Sequence, residues 1–185
     1  MAKVILIHGP SAAGKSFLAK RMTEELRLPL FSKDSFKEVL FEYIDIPKTV
    51  EETQKYGMAA LELSWEIIEQ LARSESAFIY EANISSRSHD FFDRVQLEYK
   101  LSIFEIIVTA ESSVLEKRTS KRVESGSRHA GHLDNLRNNE VYSNNIELHS
   151  ATLNSQAVLR FVDTTIIDDQ QYRSLISEVD QFISQ

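Results

Sequence analysis

Val4-Ile5-Leu6-Ile7-His8-Gly9-Pro10-Ser11-Ala12-Ala13-Gly14-Lys15-Ser16 is the stretch whose reading decides the fold. The continuous run Val4 to Ile7 has the pattern of a strand buried on both faces of a parallel sheet, and His8-Gly9-Pro10 forces a tight turn after it. From Lys15 to Leu26 the apolar positions Phe17, Leu18, Met22 and Leu26 return at helical spacing. Between strand and helix, Gly9 to Ser16 fits the pattern G-x-x-x-x-G-K-[ST]. In that context the backbone N–H groups of Gly9, Pro10, Ser11, Ala12, Ala13 and Gly14, where present, can cradle phosphate, because the helix N-terminus beside them favours negative charge. Gly9 and Gly14 supply the conformational freedom of the turn. Lys15 is expected to reach the β- and γ-phosphates, and the Ser16 hydroxyl to meet a magnesium ion bridging them. Phe17, next in the chain, completes the expected nucleotide-contacting set. The competing reading of the motif is an ordinary glycine turn whose Lys15 and Ser16 cap a helix and face water.

Working outward, the same strand and helix alternation continues. Leu28 to Phe31 reads as a second strand, Ser35 to Ile44 and Val50 to Ala72 as helices, and Ala77 to Tyr80 as a third strand. Asp90 to Tyr99 reads as a helix, Leu101 to Val108 as a strand, Glu111 to Arg122 as a helix, Val158 to Asp163 as a fifth strand, and Asp169 to Phe182 as the closing helix. This order implies an α/β fold in three layers around a five-stranded, mainly parallel sheet. No repeat, linker or low-complexity tract divides residues 1–185, so a single domain is expected. The polar interval Ser112 to Ser155 carries Lys117, Arg118, Lys121, Arg122, Arg128 and Arg137, and an inserted helical lid is expected within 118–140.

Composition narrows the function. The chain has 185 residues, 42% of them apolar, which suits one core. A formal charge of −7 disfavours non-specific attraction to nucleic acid or anionic membrane and favours small-molecule partners. With no cysteine, disulfides, thiolate zinc sites and a cysteine nucleophile are excluded. No signal-like segment or run of about 18 apolar residues occurs, so a cytoplasmic protein is expected, as a monomer or small homo-oligomer.

Ligands in open α/β sheets lie beyond the C-terminal ends of the strands, which brings three further groups into view. Lys33-Asp34 follows the second strand. Asp34 can act as the base for an acceptor hydroxyl, as part of the magnesium shell, or only as a helix cap, while Lys33 or Lys37 can hold an anionic acceptor. Glu81 and Asn83 follow the third strand as acceptor ligands, with Glu81 also a weaker candidate for the acid on the magnesium side; Arg87 is a further anion contact or a solvated cation. Arg118 and Arg122, one turn apart, share a helix face, and Arg122 or Arg128 is expected to neutralise a migrating phosphoryl group, against the alternative of a solvated basic face. Phe36, Phe41, Tyr56 and Trp65 are either an acceptor wall or ordinary core. His129 and His132 lack a convincing third ligand for zinc.

Together Gly9 to Ser16, Ser32 to Glu38, Glu81-Ala82-Asn83, Arg118 to His132 and Val162 to Thr165 resemble the P-loop kinase superfamily, especially its small kinases of the zeta-toxin and chloramphenicol-phosphotransferase type. The resemblance implies ATP and Mg2+ as cofactors and a small hydroxylated acceptor, with Lys15, Asp34, Arg122 and Arg128 catalytic, Ser16 and Asp34 at the metal, Arg118 at the nucleotide, and Asp163 and Thr164 near its base or ribose edge. Arg128-His129-Ala130-Gly131-His132 resembles an arginine-histidine-proline-glycine-histidine pattern of relatives, with Ala130 in place of the proline. The expected activity is an ATP-dependent phosphotransferase acting on a hydroxyl. The alternatives are a nucleotide-regulated binding module with slow hydrolysis, and a nucleic-acid 5'-hydroxyl kinase; the latter is disfavoured because the chain lacks a basic and aromatic track.

Overall fold

The computed structural model describes residues 1–126, 128–133, 152–153, 157–166 and 168–185. In chain order the elements are β1 (Lys3–His8), α1 (Lys15–Leu26), β2 (Leu30–Ser32), α2 (Lys33–Tyr43), α3 (Val50–Arg73) and β3 (Ala77–Glu81). Then follow α4 (Ser86–Tyr99), β4 (Ser102–Thr109), α5 (Ser112–Ser125), a short 3-10 turn (Ala130–His132), β5 (Val158–Asp163) and the last helix, here α6 (Asp169–Ser184).

The sheet order is β2-β3-β1-β4-β5 and every pairing is parallel, so the expected "mainly parallel" sheet is parallel throughout the described residues. The β1 strand lies at its centre, with Ile5 opposite Ile79 of β3 and Phe104 of β4. Because side chains alternate across a strand, Val4 and Leu6 enter the core between the sheet and α3 and α4, while Ile5 and Ile7 enter the core beneath α1 and α6. All four are fully buried, which is why the run contains no polar residue.

Element boundaries depart from expectation where polar residues do structural work. The α4 helix begins at Ser86 rather than near Asp90, because Ser85 and Ser88 form a reciprocal capping box that starts the helix five residues before its first apolar position, Phe91. The α2 helix begins at Lys33, so Asp34 stands in its first turn instead of at a strand end. Thr49 caps α3 through the Glu52 N–H at 3.2 Å. The Trp65 ring stacks on Phe91 at 4.7 Å in the packing of α3 against α4, and Phe41 is buried against Tyr56, so both are core and not an acceptor wall. Of the expected lid, residues 134–140, Arg137 among them, lie outside the described residues. No described helix is long and apolar enough to cross a membrane.

Candidate active site

The loop from Gly9 to Gly14 joins the central strand to α1, and its backbone explains its composition. Gly9 has φ 136° and Gly14 φ 95°, both in the left-handed half of conformational space, and Ala12 also sits there at φ 64°. Gly14 precedes the first turn of α1, so the free N–H groups of that turn border the loop. Lys15 is buried with its Nζ donating to the carbonyls of Gly9 at 2.9 Å and Pro10 at 2.8 Å. Burial brings its ammonium down to about 8, against the opposing pull of Glu81 and Asp34.

The Ser16 hydroxyl, one residue on, donates to Glu81 Oε1 at 2.9 Å, while Ser32 donates to Glu81 Oε2 at 2.8 Å. The carboxylate is thereby fixed between the first turn of α1 and the end of β2. β3 lies beside β1 in the sheet, and that adjacency places Glu81, not Asp34, on the Ser16 hydroxyl. A hydroxyl and a carboxylate are hard oxygen donors suited to Mg2+, which is held by one or two carboxylates together with substrate phosphates instead of a full protein cage. Among the described residues there is no group of three or more His, Asp or Glu side chains placed to hold a metal ion.

Asp34 faces the same space. Its Oδ2 accepts from Arg128 Nη2 at 2.7 Å, and the side chain is half-exposed. Partial burial works to raise its carboxyl, but Arg128, ahead of His132, Lys33 and Lys15, outweighs it and holds the group at about 2. A cleft of about 410 Å³ runs past Ser16, Lys20, Ser32, Asp34, Phe36, Glu81, Arg122 and Arg128. Arg122 also borders a second cavity, of about 320 Å³, on the far side of the loop. There Ala12, Gly14, Phe17, Arg118, Asp163 and Thr164 come together with Arg21, Asp168, Gln171 and Tyr172. Phe17 is 60% exposed and presents its ring to this space.

Two residues expected at the nucleotide are joined to the loop's backbone. Thr164 Oγ1 donates to Ala13 O at 2.6 Å, and Arg118 donates to Thr164 Oγ1 at 2.9 Å and to Thr164 O at 2.6 Å. They tie the end of β5 to the phosphate loop. Asp163 is turned toward the backbone, accepting from the Thr165 N–H at 2.7 Å.

The acceptor set divides. Asp34 and Glu81 line the cleft; Lys33, Lys37, Asn83 and Arg87 do not. Lys37 is buried between α2 and α3, with Nζ 5.4 Å from the Phe41 ring. Arg87 donates to Glu62 at 2.7 Å and lies over Trp65, an assignment to the surface of α3 that its exposure made available to the solvated reading. Sequence reading missed Lys20, which stands one helical turn after Ser16 and whose spacing carried the signal. It did not single out Ser32 as a site residue, and missed Arg21, Asp168, Gln171 and Tyr172, where no motif marks them.

A family model described as AAA domain matches residues 4–139, well over half of the chain. The chain belongs to that AAA domain family. Its fold is that of the P-loop kinases. A candidate kinase from Chloroflexus aurantiacus j-10-fl shares 26% identity over 97% of each chain with a TM-score of 0.81. The APS kinase of Mycobacterium tuberculosis, solved with AMPPNP and APS, superposes with a TM-score of 0.62 at 14% identity over 97% of this chain and 98% of its own. A shikimate kinase from Bacteroides thetaiotaomicron gives 0.54 at 16% identity over 100% of this chain and 99% of its own. Among curated protein sequences there is no match.

Proposed function

We propose that this member of the AAA domain family is an ATP-dependent phosphotransferase that moves the γ-phosphoryl group of ATP to a hydroxyl of a small molecule. Residues 1–185 act in this reading as one domain in the cytoplasm, with a lid inside 118–140. The observation that carries the reading is the single cleft of about 410 Å³ that holds Ser16 with Glu81, Asp34, Arg122 and Arg128 at one end of the phosphate loop. A switch protein needs the loop and its metal ligands, whereas a transferase also needs a carboxylate placed for an acceptor and a volume for that acceptor. The kinases of similar fold support the same class.

In this mechanism the backbone of Gly9 to Gly14 and the ammonium of Lys15 bind the β- and γ-phosphates, for which Lys15 exchanges its two carbonyl contacts. Ser16 and Glu81 would hold Mg2+, which supplies withdrawal of charge from the phosphate oxygens when bound. Asp34 accepts the hydrogen bond of the acceptor hydroxyl and aims its oxygen in line. A carboxyl held at about 2 by Arg128 is a weak base, so it takes the proton only as Arg128 turns from Asp34 to the equatorial oxygens of the migrating group. Arg122, which borders both cavities, stabilises the same charge from the nucleotide side.

The test is incubation with Mg2+ and γ-labelled ATP over pooled metabolites, nucleosides, antibiotics and short oligonucleotides, following the label by mass spectrometry. Label on a small hydroxyl compound is expected, with the rate lowered on the order of a hundredfold or more in Lys15→Ala and in Asp34→Asn. Release of labelled inorganic phosphate alone would overturn the reading in favour of a nucleotide switch, and label on oligonucleotides in favour of a 5'-hydroxyl kinase.

A further inference from the structure

Asp34, Glu38 and Glu42 stand at four-residue intervals on α2, so their carboxylates follow one face of the helix. Each meets a different base of the segment 128–132. Arg128 donates to Asp34 at 2.7 Å, His132 Nε2 to Glu38 Oε1 at 2.9 Å, and His129 Nε2 to Glu42 Oε1 at 2.9 Å. Down the helix the order is 128, 132, 129, which requires the chain to double back, and the 3-10 turn at Ala130–His132 supplies that reversal. His129 closes the turn, its Nδ1 accepting from the Gly131 N–H at 3.0 Å while Nε2 donates to Glu42, so one neutral tautomer satisfies both bonds.

The turn is also fixed from beneath. The Phe41 ring is buried and meets His129 at 5.2 Å and His132 at 5.4 Å between centroids. Gly131 lies so near that ring that a Cβ there would fall 2.6 Å from it. From α3, Thr53 Oγ1 donates to Gly131 O at 2.9 Å. His132 is 1% exposed, so its side of the contact is shielded from solvent although the Glu38 side chain is 41% exposed.

We propose that His132, through its bond to Glu38, is a positioning residue that seats the 128–132 turn on α2 and thereby holds the Arg128 guanidinium at Asp34, at the acceptor end of the cleft. Arg128 belongs to no helix or strand, and a long side chain on irregular backbone has many places to go. Anchoring the segment four residues beyond it fixes where its backbone enters the cleft and leaves only its side-chain rotamers to be chosen. Glu38 serves as the fixed point because α2 itself is packed against α3. Phosphoryl transfer enters only in the consequence, and here the inference rests on the proposed function: a seated Arg128 is within reach of a migrating group. The seat itself is observable without turnover.

The experiment measures rotation about the Nε–Cζ bond of Arg128 by NMR, in protein carrying 15N and 13C in arginine, with the signal assigned through Arg128→Lys. Rotation slowed relative to exposed Arg27 is expected in the wild type, and Asp34→Ala, which removes the acceptor at 2.7 Å, gives the rate without that contact. His132→Leu and Glu38→Leu are each expected to lose the slow rotation, and His132→Gln, which keeps a donor toward Glu38, to restore it. Glu38 is part-exposed, so its replacement leaves the fold intact for measurement even if His132→Leu does not fold. Slow rotation persisting in Glu38→Leu would overturn the proposal, as would a wild-type Arg128 that rotates as fast as Arg27. Failure of label transfer with slow rotation intact would count against the kinase reading alone.

Discussion

Gly9 and Gly14 look alike in the sequence, but their surroundings assign them different costs. A Cβ at Gly9 would lie 2.1 Å from the Val108 carbonyl oxygen of β4, and that oxygen is backbone in the middle of the sheet, unable to withdraw. At Gly14 the nearest atom would be Thr164 Oγ1 at 3.6 Å, an ordinary contact. Both residues have positive φ, so both alanine variants take on backbone strain of about 1 to 2 kcal/mol, and only Gly9→Ala adds a clash. Gly9→Ala is expected to destabilise by about 3 kcal/mol or more and Gly14→Ala by about half of that, read from urea unfolding. Equal costs would show that β4 approaches the loop less closely than the 2.1 Å between a Cβ at Gly9 and the Val108 oxygen. The motif made the need for two glycines legible. It could not reveal Val108, because which strand passes behind the loop depends on sheet order, nor Ala12, which occupies the left-handed region at φ 64° without a glycine to mark it.

Among elements, the pairing of β1 with β4 contains the most consequential polar contact outside the cleft. His8 ends β1, Glu105 lies within β4, and both side chains are essentially fully buried with His8 Nε2 2.7 Å from Glu105 Oε1. The Leu153 N–H donates to the same oxygen at 2.9 Å, so one carboxylate fastens the chain approaching β5 to the last residue before the phosphate loop. Glu105→Ala removes the acceptor that the imidazole and the amide share and is expected to cost about 1 to 3 kcal/mol, whereas Glu105→Gln keeps an acceptor and recovers much of the loss. Urea unfolding of the two variants decides it; equal losses would mean that packing, and not the hydrogen bonds, holds the position. Strands of this kind are legible because burial on both faces demands unbroken apolar runs, as in Val4 to Ile7. Glu105 interrupts its run, and no local pattern says that His8 will face it. Helix starts are less legible for a related reason: Ser85 and Ser88 begin α4 with hydroxyls that a search for apolar periodicity passes over.

At the scale of the whole molecule, the candidate site is assembled by contacts between segments distant in the chain. Ser16 meets Glu81 across the β1 and β3 neighbours, and Asp34 meets Arg128 across 94 positions. The residue types were legible, since carboxylates after strands and arginines in a polar insertion carry their chemistry with them. Their partners were not, because pairing is set by topology. The 128–132 seat joins that topology to pH. His132 is held below its ordinary value by burial first and then by Arg128, against Asp34 and Glu38, with Lys37 of α2 adding to the lowering. A histidine depressed in the folded state takes its proton first in the unfolded chain. As pH falls from 6.5 toward the folded value, the unfolded chain therefore binds more protons and stability declines. The described carboxylates held low, Asp34 at about 2 and Asp163 below its ordinary value, give up their contribution only at more acidic pH, outside the interval between about 6.5 and 5 in which the contribution of His132 is lost. The wild type is expected to lose thermal stability between pH 7 and 5 more steeply than His132→Gln, which cannot titrate there and retains a donor toward Glu38. Melting curves across that interval test it. Parallel pH profiles for the two proteins would show that His132 is protonated as readily in the folded chain as in the unfolded one, and that the seat on α2 does not exclude water from its ring.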